Sequence, residues 1–410
     1  MYTSIDLGSH SIKIIVSEKV DDKFVVLAST SVRSKGIKRG VIKDYELALE
    51  SLKEASSNIE KKLGIKIKKV LLNFPLYELN TTIETGEVEV NTIVSGKDIR
   101  KVIKKAVVDN VPENMEVIYL EPIVFEVDSN IQVVDPKGLT SSKLKVRLAV
   151  SSIEKEILYE YLKLLHDGGL EVEDISYGIV GDYFEGKNKE IAKKLGVVVN
   201  IGYSKTEIAV LNKGIMLKGS CLPVGSSKID KDISYIYKID RKLAAELKET
   251  FAVASYNYAD KNDYREVETI SGEVIQINQF ELSQIVEARL KEMIKNVKLE
   301  VNNLTNREIS YIIVSGGVTN LTGFSYLIED EFNFEKTICN ITPLGIRSNV
   351  YSSCLGIIKY FDNKMDFRDI KYTMINEEDR EKLKKESEKS LEYLVEQFND
   401  YHKIKEEKNA

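Results

Sequence analysis

Apolar and polar positions change period several times along the first eighty residues. Ile5-Asp6-Leu7-Gly8-Ser9-His10-Ser11-Ile12-Lys13-Ile14-Ile15-Val16 reads as a strand, a tight turn and a second strand, and Phe24 to Ala28 adds a third β-branched run. From Tyr45 to Leu63 the spacing lengthens: Leu47, Leu49, Leu52, Ile59 and Leu63 recur at roughly helical intervals, so a helix is predicted there. Val70-Leu71-Leu72-Asn73-Phe74 then returns to the unbroken apolar run of a buried strand. About two hundred residues on, the unit repeats. Val197-Val198-Val199-Asn200-Ile201-Gly202 enters a turn, Thr206 to Leu211 leaves it, and Gly214 to Val224 reads as the third strand. Two strand–turn–strand units, each with a polar residue two before a glycine, point to an internal duplication.

Two regions stand outside that repeat. Residues 81–168 carry their own alternation: strand-like Thr82–Val90, helix-like Ser95–Val108, strand-like Val117–Val127 and Leu144–Val150, then helix-like Glu154–His166. This is the pattern of a small α/β domain inserted into the first lobe. From Met365 to Ala410 a polar linker leads to a charge-dense helix with Leu391, Leu394, Val395, Phe398 and Tyr401 along one side.

Composition narrows the class. At 410 residues the chain is too long for one ordinary core, so two or more lobes are expected. No run of 18 apolar residues occurs, which argues against a transmembrane helix. The formal charge of −6 gives no electrostatic case for nucleic-acid binding. Three cysteines without a CxxC pair, and no signal peptide at Met1, fit a reducing cytoplasm. Three scattered histidines argue against a His/Cys zinc site.

Each hairpin turn aims several backbone N–H groups at one point, as a bound phosphate requires. Asp6-Leu7-Gly8-Ser9 alone is equally an ordinary β-turn. The second turn strengthens the phosphate reading, because two facing turns clamp a ligand from both sides. A third element is the run Ile312-Ile313-Val314-Ser315-Gly316-Gly317, a buried strand ending in a glycine pair where backbone can lie flat against a base or ribose.

With these three elements in order, the chain resembles the actin-like ATPase superfamily and, within it, the FtsA family of bacterial cell-division proteins. The likeness runs from about Met1 to Tyr360. The stretch from Gly36 through Gly40 to Asp44 is similar to the segment before that family's first long helix. Asp135-Pro136-Lys137-Gly138-Leu139 followed by Lys143-Leu144-Lys145-Val146 resembles its "DPxGM…RLEV" segment, and Leu222-Pro223-Val224-Gly225 its "PVGG" turn. The resemblance implies a two-lobed actin-like, ribonuclease H-like α/β fold with an inserted SHS2-type subdomain. The implied divisions are 1–80 with 169–190 and 345–364, the insert 81–168, 191–228 with 304–344, 229–303, and a linker with an amphipathic helix at 365–410. It implies ATP with Mg²⁺ between the lobes. Asp6, Gly8, Ser9 and Ser11 would meet phosphate from the first hairpin, with Asp6 on the metal. Gly202 and Thr206 would meet phosphate from the second, while Gly225, Lys248, Gly316 and Gly317 would surround the nucleoside.

The departures bear on activity. Where the family writes "DIGGGTTDIAV", this chain writes Asn200-Ile201-Gly202-Tyr203-Ser204-Lys205-Thr206-Glu207-Ile208-Ala209-Val210. In the superfamily the carboxylate helps hold magnesium waters and orient the attacking water; Asn200 carries no charge and cannot act as a base. Lys205 would either pair with a phosphate or be a solvated turn lysine. In Ala245-Glu246-Leu247-Lys248, alignment on Lys248 puts Ala245 at the family's adenosine-contacting glutamate. Glu246, one step late, is rotated by roughly 100° on a helix. ATP binding with weak or absent hydrolysis is therefore expected.

The resemblance also implies partners. Lys295, Lys298 and Asn302 on the predicted Gln284–Asn303 helix would receive the C-terminal tail of FtsZ, the tubulin-like ring protein, although a solvated helical face explains them as well. Head-to-tail self-polymers would tether FtsZ filaments to the inner membrane face at the division site through Leu391, Leu394, Val395 and Phe398. That tail carries eleven acidic against eight basic side chains over residues 377–410, so a coiled-coil or docking helix is the alternative. His10 would bind phosphate or sit exposed in its turn, and His166 would serve a helix end. Two other readings stay open: an actin-like scaffold of pilus or secretion assembly, and a phosphotransferase of the sugar-kinase or chaperone-ATPase kind.

Overall fold

A computed structural model of the chain describes residues 1–128, 131–339, 341, 346, 348–376 and 378–383. The duplication read from the sequence appears as two sheets of matching topology. The first runs Glu171–Tyr177, Lys69–Phe74, Tyr2–Leu7, Ser11–Val20, Lys23–Arg33. The second begins Glu335–Ile338, Tyr311–Ser315, Leu195–Ile201, Thr206–Asn212, Ile215–Leu222. In both, three parallel strands lead into two antiparallel hairpin steps.

The second sheet has a sixth strand, Glu78–Asn80, paired antiparallel so that Asn80 faces Lys218. This short strand follows directly on Lys69–Phe74 of the first sheet. The chain segment between them therefore stitches one lobe to the other.

Local chemistry sets the helix bounds. The Tyr45–Leu63 helix starts where Asp44 accepts the Leu47 amide at 3.1 Å and stops at Gly64, whose φ of 70° no β-branched residue adopts easily. Two further helices, Gly178–Gly186 and Ser352–Phe367, cross between the lobes. They meet at a glycine pair: a Cβ on Gly356 would lie 1.8 Å from the Gly181 carbonyl oxygen. Only backbone fits at this crossing.

The insert folds as a separate antiparallel sheet in the order Ile131–Val133, Met115–Val127, Lys143–Glu154, Thr82–Glu89, with the Gly96–Asn110 helix packed on it. Its own core includes Ile99, Val102, Phe125, Leu144 and Leu148. Two details differ from the sequence expectation. The Lys155–Asp167 helix buries Leu158, Tyr161, Leu164 and Leu165 in the first lobe's core, so its apolar face belongs to that lobe and not to the insert's own core. The expected polar linker is docked as well. Phe367 packs 5.7 Å from Phe125 in the insert, and Met374 and Ile375 enter the first lobe's core. These apolar residues punctuate an otherwise polar run and hold it down. The predicted membrane residues Leu391, Leu394, Val395 and Phe398 lie outside the described residues.

Candidate functional site

The two hairpin turns face each other across a cleft of about 640 Å³ between the lobes. Asp6, Gly8, Ser9 and Ser11 reach it from the first hairpin, and Gly202 from the second. Gly316 and Gly317 close one end, and Lys248 lines another part of the wall. Gly316 has φ +97°, and a Cβ there would lie 2.4 Å from the Ile201 carbonyl oxygen, so the strand end can rest on the second hairpin only as glycine.

Two expected contacts do not reach the cleft. Thr206 is fully buried, and its hydroxyl donates to the Val224 carbonyl at 2.8 Å. Alternation explains this: Thr206 pairs with Ile201 and points to the opposite face from Asn200 and Glu207. Gly225 is also structural. A Cβ there would meet the Gly202 and Tyr203 carbonyl oxygens at 2.5 and 2.6 Å, so it packs beneath the turn without lining the cavity.

The matched hairpins place matched pairs. On the first, Asp6 stands opposite Lys13 in the strand register and the two join at 2.6 Å. Burial works to lower the Lys13 ammonium, but the Asp6 carboxylate outweighs it and holds the lysine charged. On the second, Asn200 stands opposite Glu207. Glu207 is balanced by Lys205 at 2.5 Å, so Lys205 is neither solvated nor held for a phosphate. Lys248 is likewise engaged, joined to Asp230 at 2.6 Å with both side chains almost wholly buried. The second oxygen of Asp230 has no partner in the described structure.

His10 is not an exposed turn residue. Its ring lies 4.6 Å from the Tyr203 ring, and the Arg33 guanidinium donates to it at 3.2 Å. Burial first, then the neighbouring Arg33 charge, lowers its pKa to about 4, so the imidazole stays neutral near pH 7. His166 is exposed at its helix end, 3.4 Å from Asp167. On the Gln279–Leu304 helix Lys295 and Asn302 are exposed, while Lys298 reaches the Glu331 carboxylate at 2.8 Å.

Beneath the cleft floor lies a carboxylate that sequence reasoning missed. Asp182, on the Gly178–Gly186 helix, is fully buried. It accepts from Asn200 Nδ2 at 2.6 Å, Ser352 Oγ at 2.7 Å and Ser353 Oγ at 2.9 Å. Burial raises its pKa to about 6, against the pull of these donors. The signal was present: one acid inside the apolar run Ile179-Val180-Gly181-Asp182-Tyr183-Phe184. Lys13, a lone charge within Ile12 to Val16, was legible in the same way.

Comparison with known proteins agrees with this architecture. The family model "Cell division protein FtsA" matches residues 197–356, and "SHS2 domain inserted in FTSA" matches residues 78–152. The chain is 30% identical over 396 residues to the cell division protein FtsA of Staphylococcus epidermidis, covering 93% of this chain and 84% of that protein. It is 27% identical over 366 residues to FtsA of Bacillus subtilis, covering 88% and 83%. Among solved structures it resembles the PilM–PilN type IV pilus biogenesis complex, with a TM-score of 0.55 at 13% identity over 88% of this chain and 98% of that one. It also resembles MreB5 of Spiroplasma citri bound to ADP, with a TM-score of 0.52 at 15% identity over 89% and 96%. These structural likenesses show the actin-like fold alone, while the SHS2 insert rests on its own family model. With its length covered by curated relatives and its insert matched separately, the chain belongs to the FtsA family of cell division proteins.

Proposed function

We propose that this protein is an actin-like division adaptor that binds ATP between its lobes with little or no hydrolysis. It polymerises head to tail and tethers FtsZ filaments to the cytoplasmic membrane face. The observation that carries the nucleotide part is the Asn200–Asp182 contact: the side chain at position 200 is an amide, and the acid it holds is buried below the floor. No free carboxylate stands there to orient a water.

The residues present suit a nucleotide's phosphates. Facing turns line the cleft, and its lysines Lys13, Lys205 and Lys248 are each paired with an acid, so phosphate would be met chiefly by backbone N–H groups of the turns. They suit a divalent ion less well. No group of three or more His, Cys, Asp or Glu side chains with metal-site spacing occurs among the described residues, and Asp6 already pairs with Lys13. Mg²⁺ would be held chiefly by phosphate oxygens and water, with Asp6 as its protein carboxylate, and would supply charge neutralisation.

For the partner, Lys295 and Asn302 offer an exposed cationic and amide pair on one helix, with Lys298 beside Glu331. No helix among the described residues is long and apolar enough to cross a membrane. Membrane contact is proposed through Leu391, Leu394, Val395 and Phe398, multiplied along a polymer. Titration of full-length protein with a fluorescent FtsZ tail peptide tests the adaptor reading. Saturable binding weakened by Lys295→Glu is expected; no binding up to millimolar peptide would remove it.

A further inference from the structure

Three of the positions at which the second hairpin departs from its family, Asn200, Tyr203 and Lys205, make contacts with the first lobe, its crossing helices or the connecting segment. Asn200 donates to Asp182 on one crossing helix and at 3.3 Å to Ser353 on the other. The Tyr203 ring lies against His10 of the first hairpin, with the Arg33 guanidinium 5.9 Å from its centroid. Lys205 donates to the Leu76 carbonyl at 3.1 Å. Its partner Glu207 accepts the Leu76 amide at 2.9 Å, so the pair grips both backbone groups of one residue in the connecting segment.

We infer that this hairpin is an inter-lobe clasp, which closes the cleft with the protein's own side chains and reduces the dependence of closure on bound nucleotide. The inference deepens the nucleotide-site reading above and takes the cleft to be that site. Its physical basis is direct. In a hinged two-lobed protein, a ligand favours the closed form only by contacts it makes better there. Side chains that already join the lobes shift the same equilibrium, so less remains for the ligand to supply. A glycine at 203 and a threonine at 205, the family's residues, would reach neither His10 nor Leu76. All three contacts also cluster on one turn, so substitutions there address closure without touching the crossing glycines.

The test is hydrogen exchange on the full chain, following the Gly178–Gly186 and Ser352–Phe367 helices. Tyr203→Gly/Lys205→Thr is compared with wild type, without added nucleotide and with saturating Mg·ATP. His10→Ala opens the clasp from the other lobe and serves if the double variant melts early by circular dichroism. Without nucleotide, exchange in the crossing helices is expected to quicken about tenfold in the double variant, as for loss of a few buried polar contacts. Added Mg·ATP should slow it more in the variant than in wild type. Unchanged exchange in both variants without nucleotide overturns the inference. Calorimetry on the same samples reports ATP binding separately. Loss of that binding would remove the nucleotide reading, while the nucleotide-free comparison still decides the clasp.

Discussion

Asn200 donates its amide to Asp182 at 2.6 Å, and this contact joins the second hairpin to a crossing helix in the protein's interior. Its chemistry is directional, because an amide can donate to a carboxylate where another carboxylate cannot. Asn200→Asp therefore sets two acids in contact, and one must keep its proton. A loss of about 1–3 kcal/mol is expected in urea denaturation, the cost of a buried acceptor losing its donor. The exchanged pair Asn200→Asp/Asp182→Asn should recover most of it. Additive effects in that double-mutant cycle would mean that the two side chains do not interact.

Asp182 also sets a pH dependence. Its folded pKa of about 6 lies above the ordinary 3.8, so between those values the native state holds a proton the unfolded chain has released. This contribution is complete below about pH 4 and is lost as pH rises through 6, a swing of about 2–3 kcal/mol. His10 runs the other way, losing stability as pH falls from 6.5 towards 4. Melting temperatures of wild type and Asp182→Asn at each pH cancel the histidine. The difference should shift in favour of wild type on acidification from 7 to 4.5, and a pH-independent difference would contradict the assignment.

Gly356→Ala places a methyl on the Gly181 carbonyl, where 1.8 Å is available. The helices must separate, at about 1–3 kcal/mol by analogy with overpacked cores. Calorimetric melting should show the loss, and Gly178→Ala, at the start of the partner helix with its nearest neighbour at an ordinary 3.6 Å, is the control without a close approach. Equal losses in the two would count against a tight crossing.

Lys248→Met leaves Asp230 as an unpaired buried carboxylate whose second oxygen is already without a partner. Removing one member of such a pair costs about 3–5 kcal/mol. Lys248→Met/Asp230→Leu should regain most of that stability by thermal melting yet fail to regain nucleotide binding. Full recovery of binding would place Lys248 outside the site.

The sequence shows the frame well because the frame rests on period. The Tyr45–Leu63 helix lies where its leucines recur and where Asp44 and Gly64 bound it. The repeated hairpins follow from alternation around a glycine turn. Eight of the ten expected cofactor positions line one cleft because they sit on those turns and strand ends. Thr206 and Gly225 were carried over by motif, and strand register turns one inward while close packing claims the other. Asp182 escaped because its partners are Asn200, Ser352 and Ser353, brought together only when the crossing helices pack. The docking of Phe367 and Met374 was hidden for the same reason: isolated apolar residues in a polar run name no partner until the fold supplies one.

The most direct measurement is calorimetric titration of Mg·ATP into the full-length protein, with released phosphate assayed in the same samples. Micromolar binding without phosphate release above buffer is the expected result, since two facing turns line the cleft and no free carboxylate stands at position 200. Steady turnover of ATP, or no binding at all, would contradict a non-hydrolysing nucleotide site.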